Sequence, residues 1–177
     1  MDQPMVFEGW ISILATLTAD NRNVEALYLQ RDIHSTSSAR LEREAESRGV
    51  PVSRVTAEVV QAHANGHSHG GAVAIVGPRR YQKLADIGKR VSSPFVVMLD
   101  GVEDPFNLGQ AIRALYAAGV DGVVVRPRVW DSASGIIAKA SAGASELVPI
   151  AAVNTPMEAV LHFKRMGLTV ACTHAGD

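Results

Sequence analysis

Cysteine and aromatic side chains are both scarce in this chain. Phe, Tyr and Trp make up 5% of its 177 residues, and Cys172 has no second cysteine to pair with. That excludes an internal disulfide, and a reducing, cytoplasmic setting is expected. Long hydrophobic runs are missing as well. Nothing approaches the ~18 consecutive apolar residues of a membrane span, and the opening MDQPMVFEGW has neither the basic region nor the apolar core of a secretory signal. Nor does one sign of charge dominate. The net charge is −1, from 17 Lys/Arg and 18 Asp/Glu. This argues against a protein that coats nucleic acid through bulk charge, but allows one that reads a folded RNA with a few placed cations. What remains is 47% hydrophobic and 20% charged, an ordinary globular composition, at a length that suits one large domain or two small ones.

The hydrophobic pattern divides the chain near its middle. Trp10–Ala19 has helical spacing, Val24–Leu29 suits a strand, and Ser35–Arg48 reads as a polar helix stopped by Gly49. A short strand over Val50–Val55, a helix over Thr56–Ala64, the loop NGHSHGG and a strand over Ala72–Val76 complete a unit of residues 1–78. Residues 79–93 (RRYQKLADIGKRVSS) are cationic and amphipathic, and read as a partly helical linker. From residue 94 the pattern is more regular, with expected strands at Phe95–Leu99, Val123–Val125, Leu147–Val153 and Leu168–Cys172. Helices are expected over Leu108–Ala118, Ser132–Ala140 and Thr155–Met166. Alternating strands and helices imply an α/β fold with a parallel sheet covered on both faces.

Ligands of open α/β sheets bind beyond the carboxyl ends of the strands. At that edge the sequence places Asp100, Glu103, Asp104, Asn107, Arg113, Arg126 and Arg128. Asn107 suits the N-cap of the following helix. Arg113 lies one turn after Gly109 and one before Ala117, so an arginine sits between small residues with room for a ligand. It could equally be a solvated surface residue or pair with Asp100 or Asp104. Arg126 and Arg128 suit phosphate contacts or a solvated loop. His63, His67 and His69 have spacings that permit metal binding, but no acid or cysteine nearby completes a site, so they read as a polar loop and no metal is expected.

DGVEDPFNLGQAIRALYAAG, with Asp100, Gly101, Asp104, Pro105, Asn107, Gly109, Arg113 and Gly119 in place, resembles the first motif of the SpoU (TrmH-like) RNA 2′-O-ribose methyltransferases. Lys139–Glu146 (KASAGASE) resembles the family's S-x-G-A-x-E segment, and His69-Gly70-Gly71 a weaker element of its N-terminal domain. The resemblance implies an RNA substrate-binding domain, similar in fold to kink-turn-binding ribosomal proteins, followed over 94–177 by part of a trefoil-knot (SPOUT) domain. It implies methyl transfer from S-adenosylmethionine to a ribose 2′-hydroxyl. The substrate would be structured RNA, ribosomal in preference to transfer RNA, and the protein a homodimer that needs no membrane. Arg113 and Asn107 would be the catalytic residues. A guanidinium stays protonated, so Arg113 would grip phosphate and stabilise a developing alkoxide rather than act as a base. Arg126 and Arg128, with Arg79, Arg80, Lys83 and Arg90 of the linker, would contact RNA. The family's two late donor-binding motifs, G-x-E-x-x-G and Ser-Leu-Asn-x-Ser, do not occur here. The cofactor-binding residues are therefore expected beyond Asp177, with the domain cut before the knot. The rival reading is a noncatalytic RNA-binding module.

Overall fold

A computed structural model describes residues 5–127 and 131–173. The first unit is a four-stranded sheet in the order β1-β4-β2-β3. Its strands are β1 (Met5–Glu8), β2 (Val24–Gln30), β3 (Val52–Val55) and β4 (Ala72–Val76), and its helices are α1 (Trp10–Ala19), α2 (Thr36–Ser47) and α3 (Ala57–His63). The sheet is mixed. β2 and β3 are parallel, but β4 runs antiparallel to both β1 and β2, which corrects the expectation of parallel strands throughout. Ile13, Leu17 and Leu41 of α1 and α2 pack on Phe7, Leu27 and Leu29 to form its core.

The second unit has three parallel strands in the order β5-β6-β7: β5 (Val96–Leu99), β6 (Gly122–Val125) and β7 (Ile150–Ala152). The alternation of β6 explains its uniform apolarity. Val123 and Val125 face α4 (Pro105–Ala117) and α5 (Ser134–Ala140), while Val124 faces Ile87 and α7 (Pro156–Arg165). The sheet is thus covered on both faces, as its continuous hydrophobic runs imply.

Three segments depart from expectation. Residues 79–93 contain only a three-residue 3-10 turn, Leu84–Asp86, in place of an amphipathic helix. They are also packed rather than free: Ile87 is fully buried and the Gln82 N–H donates to Ile150 O at 2.9 Å. The expected strand Leu147–Val153 begins late, because the Ser141 hydroxyl accepts the Ser145 N–H at 3.1 Å and sustains a helical turn, α6 (Ala144–Leu147). Residues 168–173 form no strand among the described residues; Leu168 packs beside Phe163 instead.

The two sheets meet through α5 and α6. The packing is tight enough to require glycine: a Cβ on Gly135 would lie 2.3 Å from Val6 O, and one on Gly143 would lie 2.6 Å from Ala15 Cβ.

Candidate functional site

The site is built where β5 runs out. Gly101, at φ +74°, turns the chain away from the sheet. Asp104, not Asn107, caps α4: its carboxylate accepts the Asn107 N–H at 2.8 Å, and Pro105 takes the first helical position. Sequence reading placed the cap three residues late, since both residue types cap well and the proline decides between them. Freed of capping, the Asn107 side chain is exposed at the third helical position.

The inner face of α4 is fixed by Leu108 and Ile112, both buried. Gly109 is buried as well, so it does not leave backbone open to a ligand. A Cβ there would sit 2.7 Å from Ala140 Cβ and 2.8 Å from Ile137 O, so the glycine lets α4 and α5 touch. Arg113, one turn on, is exposed, and among the described residues it makes no hydrogen bond or ion pair. Neither anticipated partner holds it. Asp104 serves as the cap, and Asp100 pairs with Arg126 at 3.6 Å, joining the ends of β5 and β6. A half-exposed pair at that distance is weak, so Arg126 can exchange Asp100 for a phosphate. Arg128 lies outside the described residues.

The four linker cations separate. Arg80, Lys83 and Arg90 are exposed. Arg79 is a correction, because only 6% of its side chain is accessible. It donates to Ser145 O at 2.7 Å, Glu146 Oε1 at 3.2 Å and Val148 O at 3.2 Å. Glu146 also accepts from Arg22 Nε at 2.9 Å, so two buried arginines share one buried carboxylate. Burial, together with Arg22 nearby, holds the Arg79 guanidinium below its usual value, although Glu146 opposes the shift. This cluster escaped sequence reading. Glu146 stood in a recognised segment, but nothing local points to an arginine 124 residues away.

A second link joins the units at Glu8. Its carboxylate accepts from Lys139 Nζ at 2.7 Å and from the N–H groups of Asn65 and Gly66. Burial pushes this carboxyl up, but Lys139 and the two N–H donors outweigh it and the group lies below the usual carboxylate range. In the neighbouring loop the His67 and His69 rings both share Gln61 Oε1 at 3.2 Å, and the His63 ring packs edge-on to Tyr28. Among the described residues no His, Cys, Asp and Glu cluster could hold a metal.

S-adenosylmethionine needs a pocket that encloses a nucleoside. Cavities of about 40, 400 and 150 Å³ are present, and none is lined by Asp100, Asn107, Arg113 or Arg126. These three cavities supply no nucleoside pocket at this edge, where the side chains on offer are cations, carboxylates and an amide.

A mixed-sheet unit is joined to a parallel sheet, and an Asn- and Arg-bearing helix follows the carboxyl end of β5; RNA methyltransferases of known structure share this architecture. The crystal structure of an rRNA methyltransferase from Sinorhizobium meliloti superposes with a TM-score of 0.69 at 25% identity, over 92% of this chain and 58% of that one. The SpoU methyltransferase AviRb from Streptomyces viridochromogenes, solved with AdoMet, has the same fold, with a TM-score of 0.69 at 20% identity over 93% of this chain and 61% of its own. Residues 94–177 match the model of the SpoU rRNA methylase family, and residues 6–82 match that for RNA 2′-O ribose methyltransferase substrate binding. The chain belongs to the SpoU family. A relative named 23S rRNA (guanosine-2′-O-)-methyltransferase RlmB, from Vibrio vulnificus, is 32% identical over 76% of this chain and 55% of its own length. The Shewanella oneidensis protein of that name is 28% identical over 99% of this chain and 72% of its own length. The chain thus spans little more than half of the Vibrio and Sinorhizobium proteins.

Proposed function

We propose that this chain is the RNA-binding unit and the substrate side of the catalytic unit of an RNA 2′-O-ribose methyltransferase acting on ribosomal RNA in the cytoplasm. The observation that carries this reading is Arg113: an exposed arginine that makes no hydrogen bond or ion pair among the described residues, one turn beyond the α4–α5 contact on the helix that follows the carboxyl end of β5, the edge where α/β ligands gather. An arginine kept clear of nearby carboxylates is available for a phosphate, which its planar fork grips at two points. The same charge stabilises the ribose oxygen as it loses its proton. Asn107, released from capping by Asp104, orients the ribose, and Arg126 takes a flanking phosphate from Asp100. Arg80, Lys83 and Arg90 extend the cationic surface along residues 79–93. When bound, S-adenosylmethionine, the ligand named for AviRb, supplies the methyl group. The reading includes a homodimer, supported by the exposed Phe106, Tyr116 and Ile136 of α4 and α5.

The test is methylation of a ribosomal RNA transcript by a protein that carries this chain together with a donor-binding segment. The expected product is one ribose-methylated nucleotide, located by mass spectrometry of nuclease fragments. Tight RNA binding with no methylation would favour the noncatalytic module.

A further inference from the structure

Between the two sheets, at the amino end of β7, lies a cleft of about 400 Å³ that the catalytic reading does not use. Its size falls within the roughly 300–1,000 Å³ of small-ligand sites. Asp20, Asn21, Arg79, Arg80, Tyr81 and Gln82 form one wall, and residues 146–150 the other. Cations outnumber carboxylates around it. Arg79 and Arg80 stand on the wall, Arg22 lies behind on the same Glu146, and Arg48 reaches Asp20 at 3.6 Å. The carboxylates set against these four arginines are Asp20, Glu146 and, on Arg48 at 2.9 Å, Glu44. Arg80 is 58% exposed in its side chain, and it bonds to the Asp20 backbone oxygen and, at 3.4 Å, to the Asp20 carboxylate. Tyr81 is 41% exposed. Beneath the surface, Arg79 Nε and Asn21 Oδ1 are a buried donor and acceptor without partners among the described residues, which is uncommon in a folded protein.

An arginine-lined groove with an aromatic face on its wall is the arrangement that holds single-stranded nucleic acid: cations track the backbone and a base stacks on the ring. We infer that this cleft takes one unpaired nucleotide of the RNA substrate, its phosphate on Arg80 and its base against Tyr81. The inference rests on the RNA methyltransferase reading and adds to it a contact that spans both units. Asp20 acts as the internal competitor. It occupies Arg80 in the free protein, and an incoming phosphate takes its place.

The test is fluorescence anisotropy of a labelled ribosomal RNA hairpin with a single-stranded loop, titrated with the 177-residue protein at several salt concentrations. Arg80→Ala should weaken binding about tenfold and reduce the salt slope by about one. Tyr81→Ala should weaken it roughly 5- to 100-fold with the slope unchanged, and Tyr81→Phe should restore it, since stacking needs the ring and not the hydroxyl. Asp20→Asn should tighten binding several-fold. Asn tolerates the left-handed φ of +49° at this position, and a folding defect cannot raise affinity. If the wild type binds RNA and all four variants bind as it does, the cleft assignment falls while the methyltransferase reading stands. If the wild type binds no RNA, the broader reading falls. Displacement of the hairpin by millimolar inorganic phosphate as effectively as by unlabelled RNA would show a small-anion site and overturn the inference.

Discussion

Arg113 and Arg79 both precede or follow small and apolar residues in the sequence, yet they end in opposite states. Arg113 is exposed and unpartnered among the described residues, whereas Arg79 is sealed against Glu146, Ser145 O and Val148 O. The difference follows from what each meets across the fold, which no local pattern encodes. It also separates their mutational signatures. Glu146→Ala would leave Arg22 and Arg79 buried without their shared counter-charge. Stranding a buried charge costs about 3–5 kcal/mol, a large part of a typical domain's stability. Urea unfolding should show that loss, and a change below about 1 kcal/mol would mean the cluster is solvated. Glu8 makes a pH prediction. Its folded carboxyl lies below the ordinary value of 4.5, so the stability it adds is present above that value and is lost as pH falls through the lower, folded one. Glu8→Gln should therefore flatten the fall of thermal midpoint with acid below about pH 4.5. A variant that loses stability as steeply as the wild type in that window would contradict the assignment.

Helix α4 shows how far local signals carry. Its existence and its stop near Gly119 were legible, because helical spacing and a C-terminal glycine are local. So were α1, α2, β4, β5 and α7, each framed by caps or breakers in its own segment. The strand β1 was missed. It is four residues long and gains its identity from pairing with β4, about seventy residues away. The strand expected at Leu168–Cys172 has suitable residues but no ladder partner among those described. Gly109 was noticed for the wrong reason, since its smallness serves α5 and not a ligand. Gly109→Ala tests this directly. Alanine improves helix propensity by about 1 kcal/mol, but its Cβ would press on Ala140 and Ile137 O, and overpacking costs about 1–3 kcal/mol. The expected net result is a lower thermal midpoint. A higher one would show that α4 and α5 have slack between them.

Across the whole molecule, the segment Lys139–Glu146 does more joining than chemistry. Lys139 holds Glu8, Glu146 holds Arg22 and Arg79, and Gly143 admits α1 to close contact. The two units are thereby coupled through buried and part-buried polar contacts rather than tethered by a free linker. This explains why residues 79–93 are packed although their composition reads as a connector. The family resemblance was legible because its motif concentrates several fixed positions within twenty residues. The coupling was not, because each link joins residues more than sixty positions apart. We propose that the donor site is formed by residues other than Asp100, Asn107, Arg113 and Arg126. Calorimetric titration of the 177-residue protein with S-adenosylmethionine should accordingly show no micromolar binding, and a clear micromolar isotherm would reveal a pocket that Asp100, Asn107, Arg113 and Arg126 do not line. The central claim is that Arg113 acts on the substrate and not on the fold. It is tested most directly by single-turnover methylation and thermal midpoint, measured together on wild type, Arg113→Ala and Arg113→Lys in a protein carrying the donor-binding segment. Loss of one placed charge at a developing oxyanion costs roughly 100- to 1,000-fold in rate, and lysine cannot reproduce the two-point grip. Both variants should therefore lose that activity with an unchanged midpoint; a destabilised Arg113→Ala protein that methylates at the wild-type rate would contradict the assignment.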